Sequence, residues 1–319
     1  MTPLYFTKKV VIILISKFKK RILIIIAIFF AFCVVSMAAT KIIYDNIFAR
    51  YDEAAVVPES LTQMVGKRQV CSFPSGENLL TGYYYPAEEP GSAHGLIVLV
   101  PGFRAGGDNY LWQISELLDY GWAVFTFDPT GTLRSQGESQ VGFSQTVFDL
   151  EAALKYVEKS GCFGYNELVL IGHSRGAYAA CCVLEQEHEV AAVVSISGAN
   201  SAMEAIMEMS TDTVGLISYG NYGFLWLYQV MLFGSDTVNL DASRIISRGA
   251  VPVLIVHGSA DKQVDSSSIL SNKDEIDSEQ VEYLICDAGH TDLMYDTDGT
   301  ANNALIKSIH EFLLRSINR

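Results

Sequence analysis

Basic residues are scarce beyond the first fifty positions of this 319-residue chain. Eight of the 22 Lys and Arg residues lie within residues 1–50, where Asp45 is the one acidic residue. The rest of the chain holds 14 basic and 35 acidic side chains. Because a body this acidic repels phosphate backbones, nucleic acid is excluded as the expected partner.

The sequence also has no cysteine or histidine spacing that is typical of a metal site. Its six cysteines form no CxxC pair and no Cys/His cluster, so we expect no metal and no cofactor. Scattered cysteines in a large domain do not demand a disulfide, and at least one of the adjacent Cys181 and Cys182 is expected to pack as a small apolar side chain. No internal repeat or low-complexity tract is present. The length therefore suits one large domain with an appendage.

Charged residues are absent from an N-terminal run, Ile22 to Ala39, that is rich in Ile and Phe. At about 1.5 Å per residue, a helix of this length just crosses a hydrocarbon core. Six basic residues precede the run, so the positive-inside rule predicts a cytoplasmic leader over 1–21, a signal-anchor over 22–39 and an extracytoplasmic body at the cell membrane. The alternative is a cleavable signal peptide, since residues 36–39 could serve a signal peptidase, and the body would then be secreted.

Residues 40–67 show no clear period and are predicted to be a stalk or linker. From residue 68 onward, strand and helix patterns alternate, which predicts a doubly wound, mostly parallel sheet of the α/β class. The first two strands are separated by turn residues, which predicts an antiparallel N-terminal edge. The predicted strands are Gln69–Phe73, Leu80–Tyr85, Leu96–Val100, Trp122–Phe127, Leu168–Gly172, Val190–Ser197, Val251–Val256 and Val281–Cys286. The predicted helices include Tyr110–Tyr120, Ser144–Lys159 and Ala301–Ile317. The second of these has an apolar face of Phe148, Leu150, Ala153, Leu154 and Val157.

About fifty residues separate the sixth predicted strand from the seventh, which is more than one crossover helix requires. Residues 199–245 within this segment are rich in aromatic side chains, among them Tyr222, Phe224 and Trp226. The segment leaves from the carboxyl end of a strand, where open α/β sheets bind ligands, and this favours a small cap over the crevice. The three aromatic residues are then expected to contact substrate. The alternative is a larger crossover whose aromatic residues belong to the core.

A serine between two glycines follows the strand Leu168–Gly172 directly, as Gly172-His173-Ser174-Arg175-Gly176, and a helical pattern comes next. This placement at a strand-to-helix turn is typical of a nucleophile elbow. The glycines leave room where strand and helix nearly touch, so that Ser174 is held at the carboxyl edge of the sheet. A serine nucleophile needs an imidazole to accept its proton and a carboxylate to orient that imidazole.

The ends of two later strands supply these partners. Asp261 lies in the loop after the seventh predicted strand, and His290 lies after the eighth. The order Ser, Asp, His is the one found with this kind of elbow. Asp265 and Asp292 are the nearest rivals for the carboxylate, and we expect both to be solvated loop acids.

These motifs resemble the α/β-hydrolase superfamily of serine hydrolases over residues 68–319. The resemblance implies the α/β-hydrolase fold and a catalytic triad of Ser174, Asp261 and His290. It also implies an oxyanion hole formed by the backbone N–H groups of Phe103 and Arg175, because a tetrahedral intermediate needs such donors. Pro101 stands where the family more often has His, and the HGGG loop of the hormone-sensitive-lipase branch is absent.

Three other features are assigned structural roles. The loop Asp128–Gly137 resembles the family's Asp-x-Arg-Gly-x-Gly-x-Ser loop, although Thr130 and Leu133 replace its Arg and one Gly. We expect this loop to shape the wall beside the oxyanion hole. His173 and His257 are expected to be structural as well.

The sequence thus predicts a membrane-anchored serine hydrolase that cleaves carboxylic esters through an acyl-enzyme. The apolar cap and the nearby membrane favour a small-molecule substrate with an acyl or otherwise apolar part. Cleavage of peptides or amides on the same fold is the alternative, although no propeller or acidic amine-binding motif supports it. A catalytically silent binding protein is a third possibility, which the complete set of Ser, Asp and His disfavours. Dehalogenase chemistry is disfavoured because the elbow holds Ser and not Asp.

Overall fold

One sheet organises the protein. The computed structural model describes residues 4–87, 93–215, 217–265, 270, 276 and 278–318, with the backbone alone at 4–16, 212–214 and 217. The strands are β1 (Gln69–Ser75), β2 (Asn78–Tyr85), β3 (Leu96–Val100), β4 (Ala123–Phe127), β5 (Leu168–His173), β6 (Ala192–Ile196), β7 (Val253–Gly258) and β8 (Val281–Cys286). Their order in the sheet is β1-β2-β4-β3-β5-β6-β7-β8. β2 is antiparallel to β1 and β4, and the other neighbouring pairs are parallel, which confirms the predicted mostly parallel sheet with an antiparallel edge.

Helices cover both faces of this sheet. They are α1 (Leu4–Ile47), α2 (Thr62–Lys67), α3 (Leu111–Asp119), α4 (Phe143–Ser160), α5 (Arg175–Cys182), α6 (Ala202–Val214), α7 (Ile217–Gly220), α8 (Tyr222–Phe233), α9 (Ser235–Val238), α10 (Ala242–Arg248) and α11 (Asn303–Ile317). Apolar residues of α3 and α11 pack on one face, and those of α4, α5, α6, α8 and α10 pack on the other. Strands β3 to β7 are buried along their whole length because both faces are covered, which explains their continuous apolar runs.

The element boundaries agree with the sequence prediction to within about two residues at most ends. One expectation about α4 is wrong. Four residues of its predicted apolar face are buried, whereas Phe148 is 39% exposed. At 3.6 residues per turn, Phe148 lies on the opposite side of α4 from the other four residues. Its ring centroid lies 6.3 Å from that of Phe233 on α8. Cys181 and Cys182 are both buried on α5, as expected for small apolar residues.

The cap segment, residues 199–245, is continuous with the core in the described residues. Met203 and Ile206 of α6, and Leu225 and Tyr228 of α8, belong to the same apolar cluster as α4 and α5. α10 begins inside the segment and packs on α5 as an ordinary crossover helix. The insertion therefore combines core packing with an outer layer of helices.

Helix α1 extends past the predicted membrane span. Among the described residues, one helix is long and apolar enough to cross a bilayer, over Lys17–Ile47, by a measure of length and composition that signal sequences also meet. The C-terminal part of α1 packs on the domain through Thr40 and Tyr44, and Phe48, directly after the helix, continues the contact. The three residues recur every four positions and are all buried. Tyr228 of α8 donates a 2.9 Å hydrogen bond to Asp45, and this bond joins the two helices.

The residues after α1 are hydrogen-bonded to the loop between β4 and α4. The Gln140 N–H donates to the Phe48 carbonyl at 2.8 Å, and the Tyr51 N–H donates to the Gly131 carbonyl at 3.0 Å. The Arg50 guanidinium donates to three carbonyls in the same loop. The segment predicted as a stalk is thus held against the domain over residues 40–51, because helix packing and backbone pairing fix it there.

Asp149 on α4 links three parts of the fold beneath the sheet edge. Its buried carboxylate accepts hydrogen bonds from Ser75 Oγ at 2.7 Å, from the Thr130 N–H at 2.8 Å and from Gln145 Nε2 at 2.9 Å. We expect Asp149→Ala to lower the free energy of unfolding by about 3 kcal/mol because it leaves buried donors unpaired. Asp149→Asn, which keeps one acceptor oxygen, should lower the free energy of unfolding by less than Asp149→Ala does. Urea unfolding of the full chain in detergent measures both values, and an Asp149→Ala variant as stable as wild type would contradict this role.

Candidate active site

The turn between β5 and α5 holds Ser174 in a strained conformation. Its backbone lies at φ 55° and ψ −119°, a region that non-glycine residues rarely occupy. The Ser174 N–H donates to the Ile196 carbonyl at 2.8 Å, which ties the turn to β6. A Cβ atom on Gly172 would overlap the backbone of Gly176, and one on Gly176 would overlap the Val100 carbonyl. Glycine is therefore required on both sides of the serine.

Three side chains predicted from distant parts of the sequence meet at this edge. Ser174 Oγ lies 2.9 Å from His290 Nε2, and His290 Nδ1 lies 2.7 Å from Asp261 Oδ2. Asp261 and His290 are buried, whereas Ser174 is partly exposed. With Nδ1–H donating to the carboxylate, Nε2 is free to accept the proton of the Ser174 hydroxyl. The arrangement can activate a serine for attack on a carbonyl carbon.

The turn after β7 positions Asp261. Its Oδ1 accepts hydrogen bonds from the backbone N–H groups of Gln263 at 2.8 Å and Val264 at 3.0 Å. Burial raises the pKa of Asp261, but the hydrogen bonds from His290, Val264 and Gln263 outweigh it and bring the pKa below its ordinary value. The carboxylate is therefore ionised at neutral pH and can orient the imidazole.

The residues that rival or flank Asp261 have the properties expected of them. Asp265 and Asp292 are exposed loop acids. His257 is buried and donates from Nε2 to the Val264 carbonyl at 3.1 Å, within the turn that carries Asp261. Burial lowers the pKa of His257, so it stays neutral and supports the turn.

A second hydrogen-bond network holds the backbone of His290. Its carbonyl accepts hydrogen bonds from Ser197 Oγ at 2.9 Å and from His173 Nε2 at 3.4 Å. His173 Nδ1 lies 3.0 Å from the Tyr110 hydroxyl, which in turn accepts the Gly102 N–H at 2.9 Å. The structural role expected for His173 is thus to connect the loop after β3 to His290. Sequence reasoning did not identify Ser197 or Tyr110, although Ser197 directly follows β6 at the edge where the other strand ends were searched.

The two residues predicted to form the oxyanion hole are neighbours. Arg175 is the first residue of α5, where backbone N–H groups have no partner within the helix. Phe103 lies in the turn after β3, and the Arg175 guanidinium lies 5.6 Å from the centre of its ring. The Arg175 side chain is only 1% exposed, and burial lowers its pKa to about 10, against the opposing charge of Asp149. It therefore remains a cation just behind the elbow at neutral pH.

The loop that begins at Asp128 is fixed by its own buried carboxylate. Asp128 accepts hydrogen bonds from the Tyr83 hydroxyl at 2.7 Å and the Gly107 N–H at 3.1 Å. Thr130, at one of the two positions that depart from the family loop, uses its hydroxyl to donate to Asp149 at 2.8 Å. These contacts fit the structural role expected for this loop.

The three cap residues predicted to contact substrate lie on α8. Tyr222 is exposed, and the Phe224 ring lies 6.1 Å from that of Phe32 on α1. Trp226 donates from Nε1 to Asn239 at 3.2 Å. These described partners lie on α1 and beyond α8, not at the triad. Across the described residues, no group of three His, Cys, Asp or Glu side chains is arranged to hold a metal ion.

His173 makes folding stability sensitive to acid. Burial, together with the charge of the neighbouring His290, lowers the pKa of His173 to about 3 from 6.5. The unfolded chain therefore takes up a proton first as the pH falls, and stability is lost between these two values by up to about 1.4 kcal/mol per pH unit. We expect His173→Gln to lose less stability than wild type between pH 7 and pH 5. Urea unfolding at both pH values tests this, and parallel losses in the two proteins would contradict it.

Comparisons with known proteins agree with this architecture. Residues 95–214 match the family model described as alpha/beta hydrolase fold. A proline iminopeptidase of Saccharolobus solfataricus is 30% identical over 131 residues, which cover 40% of each chain. The present chain thus spans about two fifths of the curated relative that it matches.

Solved structures give a wider match. An esterase of Pyrococcus furiosus superposes with a TM-score of 0.64 and 17% identity, covering 84% of this chain and 98% of the esterase. Est1E from Butyrivibrio proteoclasticus, solved with ferulic acid bound, gives a TM-score of 0.60 and 16% identity, covering 78% of this chain and all of Est1E. At such identities these matches show the fold. Together with the family match over residues 95–214, they show that this chain has the α/β-hydrolase fold.

Proposed function

We propose that this protein is a serine hydrolase that cleaves carboxylic esters, with Ser174 as the nucleophile. The hydrogen-bonded series Ser174–His290–Asp261 at the carboxyl edge of the sheet is the observation that supports it most. The strained elbow and the buried, ionised Asp261 add to this support, because both prepare the serine before substrate binds.

Each reaction step has a residue to perform it. Ser174 Oγ bonds to the ester carbonyl carbon while its proton passes to His290 Nε2, and Asp261 stabilises the resulting imidazolium. The N–H groups of Phe103 and Arg175 bind the negative oxygen of the tetrahedral intermediate. The bond to the alcohol then breaks, and the leaving oxygen takes the proton from Nε2. Water attacks the acyl-enzyme by the same route, which releases the acid and restores Ser174.

Two alternatives remain open to experiment. The similarity to a proline iminopeptidase favours peptide or amide cleavage on the same fold, although it covers 40% of that protein. A catalytically silent binding protein is the third candidate. The apolar surface of the cap favours the ester, because α8 carries exposed apolar side chains such as Met231 and Leu232 and the described part of this helix bears no charged residue.

Substitution of the triad separates enzyme from binding protein. Ser174→Ala should abolish labelling by a fluorophosphonate probe, because the nucleophile is lost. Asp261→Asn should lower kcat/KM for p-nitrophenyl butyrate by roughly 10³–10⁴-fold, since the imidazole loses its orienting carboxylate. The matched control Asp292→Asn, an exposed loop acid, should stay within about twofold of wild type.

Two results would contradict the proposal. If the probe labelled Ser174→Ala as strongly as wild type, Ser174 would not be the nucleophile. Turnover of proline p-nitroanilide with inert p-nitrophenyl esters would favour the peptidase alternative.

The proposed setting is the cell membrane, with a cytoplasmic N-terminus and an extracytoplasmic catalytic domain. The packing of α1 supports an uncleaved anchor over a signal peptide. A cut at residues 36–39 would fall inside α1, directly before the buried Thr40, and would remove Ser36, whose carbonyl accepts a hydrogen bond from Thr40 Oγ1.

Protease accessibility tests this topology. Protease added to intact cells that express the full chain should remove the catalytic domain and leave a membrane-bound fragment that contains the leader. A domain that is protected in sealed cells and digested only after lysis would reverse the proposed orientation. Release of the domain into the medium without protease would favour signal cleavage.

A further inference from the structure

A cavity of about 460 Å³ lies between α1 and the cap. This α1–cap cavity is lined on one side by residues of α1, including Val35, Ala39 and Ile43. The opposite wall includes Met207 of α6 and Leu225 of α8. The volume falls within the range of roughly 300–1,000 Å³ that small-molecule pockets occupy.

The chemistry of the lining selects an uncharged, apolar guest. The described lining contains no Asp, Glu, Lys or Arg. Three of its polar side chains are hydrogen-bonded within the protein, since Asn221 donates to Thr40 Oγ1 at 2.5 Å and Ser218 Oγ donates to the Gly215 carbonyl at 2.9 Å. The buried Tyr44 hydroxyl has no hydrogen-bond partner among the described residues. A lining that is uncharged and mainly apolar binds hydrocarbon and rejects charge.

One end of the cavity lies at the level of the predicted membrane span. Phe32 and Val35 belong to the uncharged run and line the cavity, yet they are 56% and 66% exposed. Phe224 of the cap contacts Phe32 at the same level. Because helix α8 is apolar on its exposed side as well as its buried side, this part of the cap suits the hydrocarbon region of a bilayer.

The other end of the cavity leads toward the proposed oxyanion hole. Tyr44 lines the cavity and its ring lies 4.6 Å from that of Phe48. The Phe48 ring lies 5.5 Å from that of Phe103, whose N–H is a proposed oxyanion donor. A series of packed aromatic rings thus connects the lining of the cavity to Phe103 in the turn after β3.

We infer that the α1–cap cavity binds the acyl chain of a lipid-like ester that enters from the bilayer. The inference rests on the proposed ester hydrolysis and names the substrate class. Helix α1 is then one wall of the substrate site in addition to being an anchor. The carbonyl of the ester would lie at Ser174, with the chain running past Phe48 and Tyr44 toward the membrane.

Filling the cavity tests the inference. The assay uses p-nitrophenyl esters with acyl chains of two to sixteen carbons and the full chain in detergent. Ala39→Trp places an indole inside the cavity, so kcat/KM for the dodecanoate should fall at least tenfold while the acetate stays within twofold. Ala38→Trp is the matched control, because Ala38 is exposed on the adjacent face of α1, and should follow wild type. An Ala39→Trp variant that keeps the wild-type ratio of dodecanoate to acetate turnover would overturn the inference.

Enlarging the cavity provides a second test in case Ala39→Trp does not fold. Ile43→Ala lengthens the space available to the chain. The ratio of hexadecanoate to dodecanoate turnover should then rise severalfold. An unchanged ratio in a protein that still reacts with the fluorophosphonate probe would count against the cavity as the acyl site.

A measurement without catalysis distinguishes failure of this inference from failure of the proposed function. Ser174→Ala protein is irradiated with a palmitic acid analogue that carries a diazirine near its chain end. Cap peptides that contain Met207 or Leu225 should be crosslinked, and the crosslink should be lost with Ala39→Trp and kept with Ala38→Trp. Absence of ester turnover with these crosslinks present would reject the hydrolase alone, whereas absence of cap crosslinks in every variant would reject the acyl site.

Discussion

The close approach of β5 and α5 at Gly172 and Gly176 is the constraint on which the site depends. With no side chain at either glycine, the helix begins within contact distance of the strand and of the Val100 carbonyl on β3. Ser174, midway between these glycines, is forced to a positive φ, and its hydroxyl lies beside His290. Strain at Ser174 is thus maintained by the packing of three elements, and it cannot relax without separating the strand from the helix.

Parallel pairing of the central strands explains why the remaining groups meet at the same edge. β5, β6, β7 and β8 are neighbours that run in one direction, so the residues following them lie side by side. Ser174, Ser197, Asp261 and His290 are those residues, one after each strand. The charges at this edge are arranged to avoid competition, because Asp261 is ionised while His173 and His257 stay neutral through burial. An imidazolium formed at His290 would therefore not compete with a charged His173 or His257 for the Asp261 carboxylate.

The fold and the three converging side chains could be predicted from the sequence because their signals are local. Fully buried strands are continuous apolar runs, and the polar residue directly after each run marks the carboxyl edge. The contribution of Ser197 and Tyr110 to holding His290 could not be predicted, since it depends on which loops touch after folding. The face that α8 turns inward could not be predicted either. A helix that is apolar on all sides has no period that distinguishes Leu225, which lines the cavity, from Tyr222, which is exposed.

The contact between α1 and the domain could not be predicted for a related reason, and it gives α1 a place in the domain as well as in the proposed anchor. The buried stripe consists of Thr40 and Tyr44 on α1 and Phe48 directly after it, a mixture of polar and aromatic residues that does not produce an apolar period. The chain after this stripe joins the Asp128 loop, and Gln140 of that region bonds both the Ala49 carbonyl and the Arg104 N–H beside Phe103. The chain just after α1 and the proposed oxyanion loop are thus hydrogen-bonded to the same side chain, that of Gln140. In the proposed setting, a helix fixed to this edge of the sheet would hold the bilayer at a constant distance from Ser174. That would lower the entropy that a membrane-bound substrate loses on reaching the proposed nucleophile.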